Sequence, residues 1–261
     1  MKKVVLTVLL VVALSSVAMA SPLNDFSKGK ASLDINYRSN ADFDVNPGIN
    51  GLGKLGDIAF DSNSNLEWGF TYGVGNNWAL QYRQATPKGT LGLFNATSTQ
   101  RELTKISSDG ITAINVNLEA KTKVEEYNIL YKMDKNFTAF TGLVKASPSV
   151  KLGVGIDPYG SGDLAIVGHD KNIWQFGLQA VAPIADKFTG YGIVGFGKDY
   201  RNLEAGVGYE VSKDIELNVN YRDMKIKNMS MVGLNIPKLE IGDVTSDVHQ
   251  KGFGFGLAYK F

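Results

Sequence analysis

Apolar and polar residues alternate with a period of two over much of the chain, in runs of about ten residues. Leu33, Ile35 and Tyr37 stand against Ser32, Asp34, Asn36 and Arg38. Trp68, Phe70, Tyr72 and Val74 alternate with Glu67, Gly69, Thr71 and Gly73; after Gly75-Asn76-Asn77 the pattern resumes as Trp78, Leu80 and Tyr82 against Gln81 and Arg83. Strict alternation is the signature of a strand with unlike faces, and a two-residue Asn turn between two such runs predicts a hairpin. Further strands are predicted over 127–133 and 137–146, 174–182 and 188–196, 203–211 and 215–222, and 252–261, giving ten in all. Asp134-Lys135-Asn136-Phe137-Thr138 echoes Asp186-Lys187-Phe188-Thr189, each placed just after a turn.

The connectors alternate in length. Short turns fall near 75–77, 134–136, 183–187 and 212–214, while long polar connectors occupy 39–64, 87–122, 147–171 and 226–250, with one short link near 198–201. Short turns on one edge and long loops on the other mark an up-and-down transmembrane barrel. Ile111 to Leu118 still alternates, so strands three and four are expected to rise past the bilayer. The fold class expected is therefore all-β, a transmembrane antiparallel barrel of ten strands with both termini periplasmic. Eight or twelve strands result if 100–125 and 39–64 are parsed differently.

The first twenty residues read differently. Lys2 and Lys3 precede an apolar run from Val4 to Leu14, and the segment closes on Ala18-Met19-Ala20. A charged start, an apolar centre and an A-x-A site describe a secretory signal peptide cut after Ala20, leaving residues 21–261 as one barrel domain. The whole chain carries 27 Lys+Arg against 26 Asp+Glu. Loss of two lysines leaves 25 − 26 = −1, without the basic footprint expected of a nucleic-acid-binding domain. No Cys is present, which excludes a disulfide framework and thiolate metal sites.

Aromatic residues cluster near strand ends: Tyr72, Trp78, Phe137, Phe188, Tyr209, Tyr259 and Phe261 toward the short turns, and Tyr37, Trp68, Trp174, Tyr221 and Phe253 toward the long loops. Two such girdles suit the two interfaces of a bilayer. The last ten residues, Gly252-Phe253-Gly254-Phe255-Gly256-Leu257-Ala258-Tyr259-Lys260-Phe261, resemble the closing strand of Gram-negative outer membrane β-barrel proteins, of the OmpA, OmpX or OmpW kind though with more strands than those eight. The resemblance implies a location in the outer membrane, contact with its lipid, and recognition of Tyr259 and Phe261 by the barrel assembly machinery.

With apolar residues facing lipid, the opposite parity lines the lumen: Asp34, Glu67, Glu126, Glu204, Glu210 and Glu216 against Arg38, Arg83, Lys132, Arg222 and Lys260. A lining of one sign would select ions of the other; this near-balanced one implies either charges paired across a filled interior or an unselective pore. Inward glycines (Gly69, Gly73, Gly177, Gly206, Gly208, Gly254 and Gly256) are expected to leave a narrow water path, which makes a small passive channel for polar solutes, or a structural barrel, the leading functional expectation. The alternative is an adhesin or binding barrel whose long loops hold an extracellular ligand.

Enzymatic, metal and cofactor chemistry is not expected. The two histidines, His169 and His249, both fall in predicted loops. Asp42, Asp44, Asp247 and His249 meet at the outer rim if strands one and ten are neighbours, and resemble in composition the Asp-Asp and Asp-His pairs of the omptin outer membrane proteases; a solvated acidic rim is the simpler reading. Gly51-Leu52-Gly53-Lys54-Leu55-Gly56 matches G-x-G-x-x-G, but lacks the strand and helix of a dinucleotide site.

Overall fold

The computed structural model describes residues 21–261 apart from 40–41, 50–52, 55, 98–112, 158, 232–234, 237–238 and 241–243. Gly51, Leu52 and Leu55 of the G-x-G-x-x-G match lie outside them. Ten antiparallel strands close on themselves: β1 (Ala31–Arg38), β2 (Asn65–Gly75), β3 (Trp78–Ala85), β4 (Ala113–Lys132), β5 (Phe137–Asp157), β6 (Lys171–Ala185), β7 (Phe188–Gly197), β8 (Tyr200–Ser212), β9 (Ile215–Met231) and β10 (Val244–Lys260). Each pairs with the next in sequence, and β10 returns to β1 with Arg38 opposite Gly254 and Ser32 opposite Lys260. The seam is finished by Ala31 N donating to Phe261 O at 2.7 Å and Phe261 N to Ala31 O at 2.9 Å. Closure pairs the edges of these strands within the sheet, which is what a lipid environment requires of a β-structure.

Turn chemistry sets the register at the short-turn end. Asn76 and Asn77 both adopt positive φ, 52° and 67°, the backbone of a type I′ hairpin that Asn tolerates better than other side-chain-bearing residues. Asp134 caps the next turn by accepting from the backbone N of Asn136 and Phe137 at 2.7 and 2.9 Å. These contacts hold its carboxyl below the ordinary carboxylate range.

At the other end the long connectors depart from the loops expected of them. Asp42–Ile49 pairs with β10, Ile58–Asn63 with Asp42–Ile49 and with Lys88–Thr97, and Lys88–Thr97 with the upper half of β4. Gly160–Val167 folds back on β5. These segments prolong the strands they adjoin, so the barrel wall rises beyond the outer aromatic girdle. They resemble loops in the sequence because their inside and outside are exchanged relative to the lower strands, so the alternation breaks wherever the two regimes join.

Candidate functional site: the filled lumen

The exchange is plain on β4. Toward the short turns its outward residues are Tyr127, Ile129 and Tyr131, each at least 40% exposed, while Glu126 and Asn128 are buried inside. Above Glu125 the outward residues become Lys123 and Lys121, and the inward ones Val124, Thr122 and Ala120. On β9 Leu217, Val219 and Tyr221 face out below Asp223, Lys225 and Lys227, while Asn218, Asn220 and Arg222 face in below Met224 and Ile226. The lower wall is apolar outside and polar inside; the upper wall has the soluble arrangement. Only a surrounding apolar solvent reverses the ordinary sorting of side chains, so the boundary between the regimes marks the bilayer surface.

Rings concentrate at both edges of the apolar belt. Tyr221 and Phe253 lie 5.1 Å apart at the upper edge, with Trp68–Tyr82 at 5.0 Å and Tyr82–Tyr127 at 5.1 Å beside them. Trp78–Tyr131 (4.7 Å), Phe188–Tyr209 (5.0 Å) and stacked Tyr259–Phe261 (5.5 Å) form the lower edge.

Inside, three layers fill the barrel. The upper one is apolar and includes Phe43, Phe60, Val124, Val144, Ile173, Met224, Ile226 and Val248. The lower one is also apolar: Leu23 and Phe26 from the N-terminal segment pack with Ala79, Leu130, Phe140, Val181, Tyr191 and Ile193. Between them lies a lattice of charge. Arg38 grips Glu67 through two bonds, Nε to Oε1 and Nη2 to Oε2, both 2.8 Å, and also donates to Gly252 O and to Asn220 Oδ1. Arg222 bonds Glu126 Oε1 at 2.6 Å, approaches Glu67 Oε2 at 3.6 Å and donates Nε–H to Asn202 Oδ1 at 2.7 Å. Arg83 meets Glu204 at 2.6 Å. Tyr200 and Gln175 complete Glu126, donating at 3.2 and 3.3 Å, and Tyr191 O–H lies 3.4 Å from Glu204. The Arg38, Glu67, Arg222 and Glu126 side chains are at most 6% exposed.

The eleven ionisable residues with inward parity thus divide by depth. Arg38, Glu67, Arg83, Glu126, Glu204 and Arg222 make the central lattice, with Asp34 beside it accepting from Ser32 Oγ at 2.9 Å. Lys260 pairs with Glu216, and Lys132 Nζ donates to Asn24 O at 2.5 Å, both nearer the short turns. Glu210 is exposed at that rim. Tyr259 and Phe261 stand on the outer wall.

At most of the inward glycines the described residues leave little open space. A Cβ on Gly69 would lie 3.3 Å from the Arg83 side chain, one on Gly254 3.2 Å from Arg38 Nη1, and one on Gly206 2.6 Å from the Tyr191 ring. The glycines therefore admit large side chains from the neighbouring strands, and a central cavity of about 40 Å³ lies beside them, lined in part by Ser21, Asp34, Glu67 and Arg83. That is room for about one to three water molecules.

Sequence parity also misses members of the lattice. Gln175, Asn202, Asn218 and Asn220 share the inward parity of the charged residues and are legible on that ground. Tyr191 and Tyr200 are not, because the pattern assigns aromatic rings to the lipid face. The members of the candidate rim tetrad share one face of the wall but take other partners: Asp247 is buried, accepting from Asn228 N at 2.9 Å. His249, two residues on and of the same parity, has Nε2 3.0 Å from Asp223 and Nδ1 4.0 Å from Asp44. Asp42 pairs with Lys251 at 3.4 Å on the same outer surface.

A closed barrel with an apolar belt, two aromatic edges and a polar interior is the architecture of a bilayer-spanning β-barrel. No family model matches the chain, and no curated protein matches it in sequence. The solved structures it resembles are outer membrane β-barrels of Gram-negative bacteria. The outer membrane protease OmpT from Escherichia coli has a TM-score of 0.48 and 11% identity over 93% of this chain and 99% of that one. The outer membrane protein OprG from Pseudomonas aeruginosa has a TM-score of 0.39 and 13% identity, covering 92% and 99%. Ail, the attachment invasion locus protein of Yersinia pestis, has a TM-score of 0.34 and 11% identity, covering 88% and 99%. At these scores the likeness extends to the barrel and carries no argument about activity.

Proposed function

We propose that the protein is an outer membrane barrel that does not conduct, and that it serves as a rigid support for the β-wall and loops it holds outside the cell, where it binds an extracellular ligand. One observation carries this reading: an ion-paired lattice lies across the lumen between two apolar layers, and the central cavity within it has a volume of about 40 Å³. A pore that passes hydrated solutes needs a continuous aqueous path, and glycines that admit Arg83, Arg38 and Tyr191 do the reverse. The balance of charges is then a requirement of burial, since an unpaired ion in the lumen would be costly, and not a device for selectivity.

The location rests on the belt and girdles together with the C-terminal strand, where Tyr259 and Phe261 are available to the barrel assembly machinery. The exterior function rests on the raised wall, in which β4 and β5 stay paired up to Ala113 and Asp157, far above the Tyr127 edge of the belt. Refolded protein in planar bilayers tests the reading. No steps above baseline at moderate voltage are expected; regular conductance steps from pure, folded protein would return the passive channel to first place.

A further inference from the structure

The N-terminal segment of the described chain is inside the barrel. Ser21 is 4% exposed and its backbone nitrogen contacts Glu216 Oε1, whose other oxygen meets Lys260 Nζ. From there Leu23 and Phe26 descend through the lower apolar layer. Asn24 is held at both ends, its carbonyl by Lys132 Nζ and its side-chain Nδ2 donating to Lys135 O at 2.9 Å. The segment then crosses the mouth against β2: Gly75 N donates to Phe26 O, Gly29 N to Gly73 O and Gly73 N to Lys30 O, at 3.1, 3.1 and 2.7 Å. Gly73 is where this crossing needs the absence of a side chain, because a Cβ there would sit 2.8 Å from the Phe26 carbonyl carbon.

Two independent features meet at Ser21. The A-x-A pattern places a cleavage after Ala20, and the geometry places Ser21 N in the lumen beside a cavity of about 40 Å³.

We propose that leader removal creates an internal ion pair: the new α-ammonium of Ser21 becomes a buried counter-ion of Glu216, and residues 21–30 lock the periplasmic mouth as a plug. The step is a hydrolysis by water, catalysed by a leader peptidase. The Ala20–Ser21 amide breaks, Ala20 takes the hydroxyl and ionises to a carboxylate, and the Ser21 amine takes a proton. Maturation thus completes the lumen lattice, and a chain that retains residues before Ser21 has an uncharged amide where the ammonium would stand. The inference builds on the closed-lumen reading.

The test compares three refolded chains: one beginning at Ser21, one beginning at Ser21 with Gly73→Val, and one with five Gly/Ser residues before Ser21. Folding is followed by heat-modifiable migration, amine burial by labelling with a water-soluble amine reagent near neutral pH, and sealing by bilayer current. In the first chain the amine is expected to label at least about tenfold more slowly when folded than in urea, because reaction requires local opening. Gly73→Val is expected to fold with its amine labelled at the urea rate, and the extended chain to fold, pass current and lose its heat-modified form at a lower temperature. Equal labelling of the first chain folded and unfolded overturns the proposal, as does an extended chain that is as silent and heat-stable as the first. A first chain that conducts while its amine stays protected defeats the closed-lumen reading and leaves the ion pair standing.

Discussion

Replacing Arg222 with Met keeps most of the side-chain volume and removes one charge from the centre of the lattice. Glu126 then loses the cation bonded to it at 2.6 Å, and keeps the Tyr200 hydroxyl and the Gln175 amide. Glu67 retains the two-bond grip of Arg38, so the damage concentrates on Glu126. Arg222 and Glu126 side chains are 2% and 4% exposed, so solvent screening is slight, and breaking a buried pair from one side costs about 3–5 kcal/mol. In a water-filled pore the same pair would behave as a surface salt bridge worth about 0–1 kcal/mol. The assay is urea unfolding of protein refolded in lipid vesicles. With a slope of roughly 3 kcal/mol per M, the midpoint should fall by about 1–1.7 M. The double variant Arg222→Met, Glu126→Gln should recover most of the loss, because the stranded charge is gone. A single-variant shift below about 0.3 M would refute the buried lattice.

Three further outcomes follow from the same structure. Ile129→Arg, within the belt, should cost about 2–4 kcal/mol in vesicles, whereas Leu164→Arg, equally outward but on the raised Gly160–Val167 segment, should stay within about 0.5 kcal/mol; equal costs would misplace the bilayer edge. Asp134, with its carboxyl lowered by two backbone donors, should favour the folded state above the ordinary carboxylate pKa and lose that contribution as pH falls through its depressed folded value; the advantage of wild type over Asp134→Asn in unfolding midpoint should therefore shrink on acidification, and an advantage that grew would reverse the sign. Deleting Phe261 should slow insertion in cells while the purified chain still refolds in detergent, read as the ratio of heat-modifiable to unfolded protein; unchanged insertion would remove Phe261 from the assembly signal.

How much of this is legible in the sequence depends on depth in the membrane. Within the belt, lipid outside and polar side chains inside give a clean two-residue period, so β2, β8, β9 and the last strand are readable along with the parity of Glu67, Glu204 and Arg222. Above the belt the rule inverts, and Phe43, Phe60, Val144 and Met224 become core residues while Lys121, Lys123 and Lys225 become surface. A reading that assigns every apolar residue to lipid must fail there, which is why 39–64 and 147–171 look like loops. The lattice is half legible. Parity can list the charges, but pairing depends on which strands face each other across the lumen, and Arg83 with Glu204 joins residues on β3 and β8. Whether the inward glycines leave a hole or admit a side chain is also a property of the adjacent strand: Gly206 is filled by Tyr191, its partner in the sheet, and nothing in the local pattern of either says so.

The closed lumen is tested most directly by its reach to water. The chain has no Cys, so single substitutions are clean probes: Ser32→Cys below the charged lattice and Ala146→Cys above it, both 0% exposed, with Ser212→Cys, at an exposed position, as the control. In folded protein a small charged maleimide should label the thiol at position 212 promptly and leave those at positions 32 and 146 unlabelled until the barrel is unfolded. Prompt labelling of both interior positions in the folded barrel would mean an open aqueous path and contradict the account.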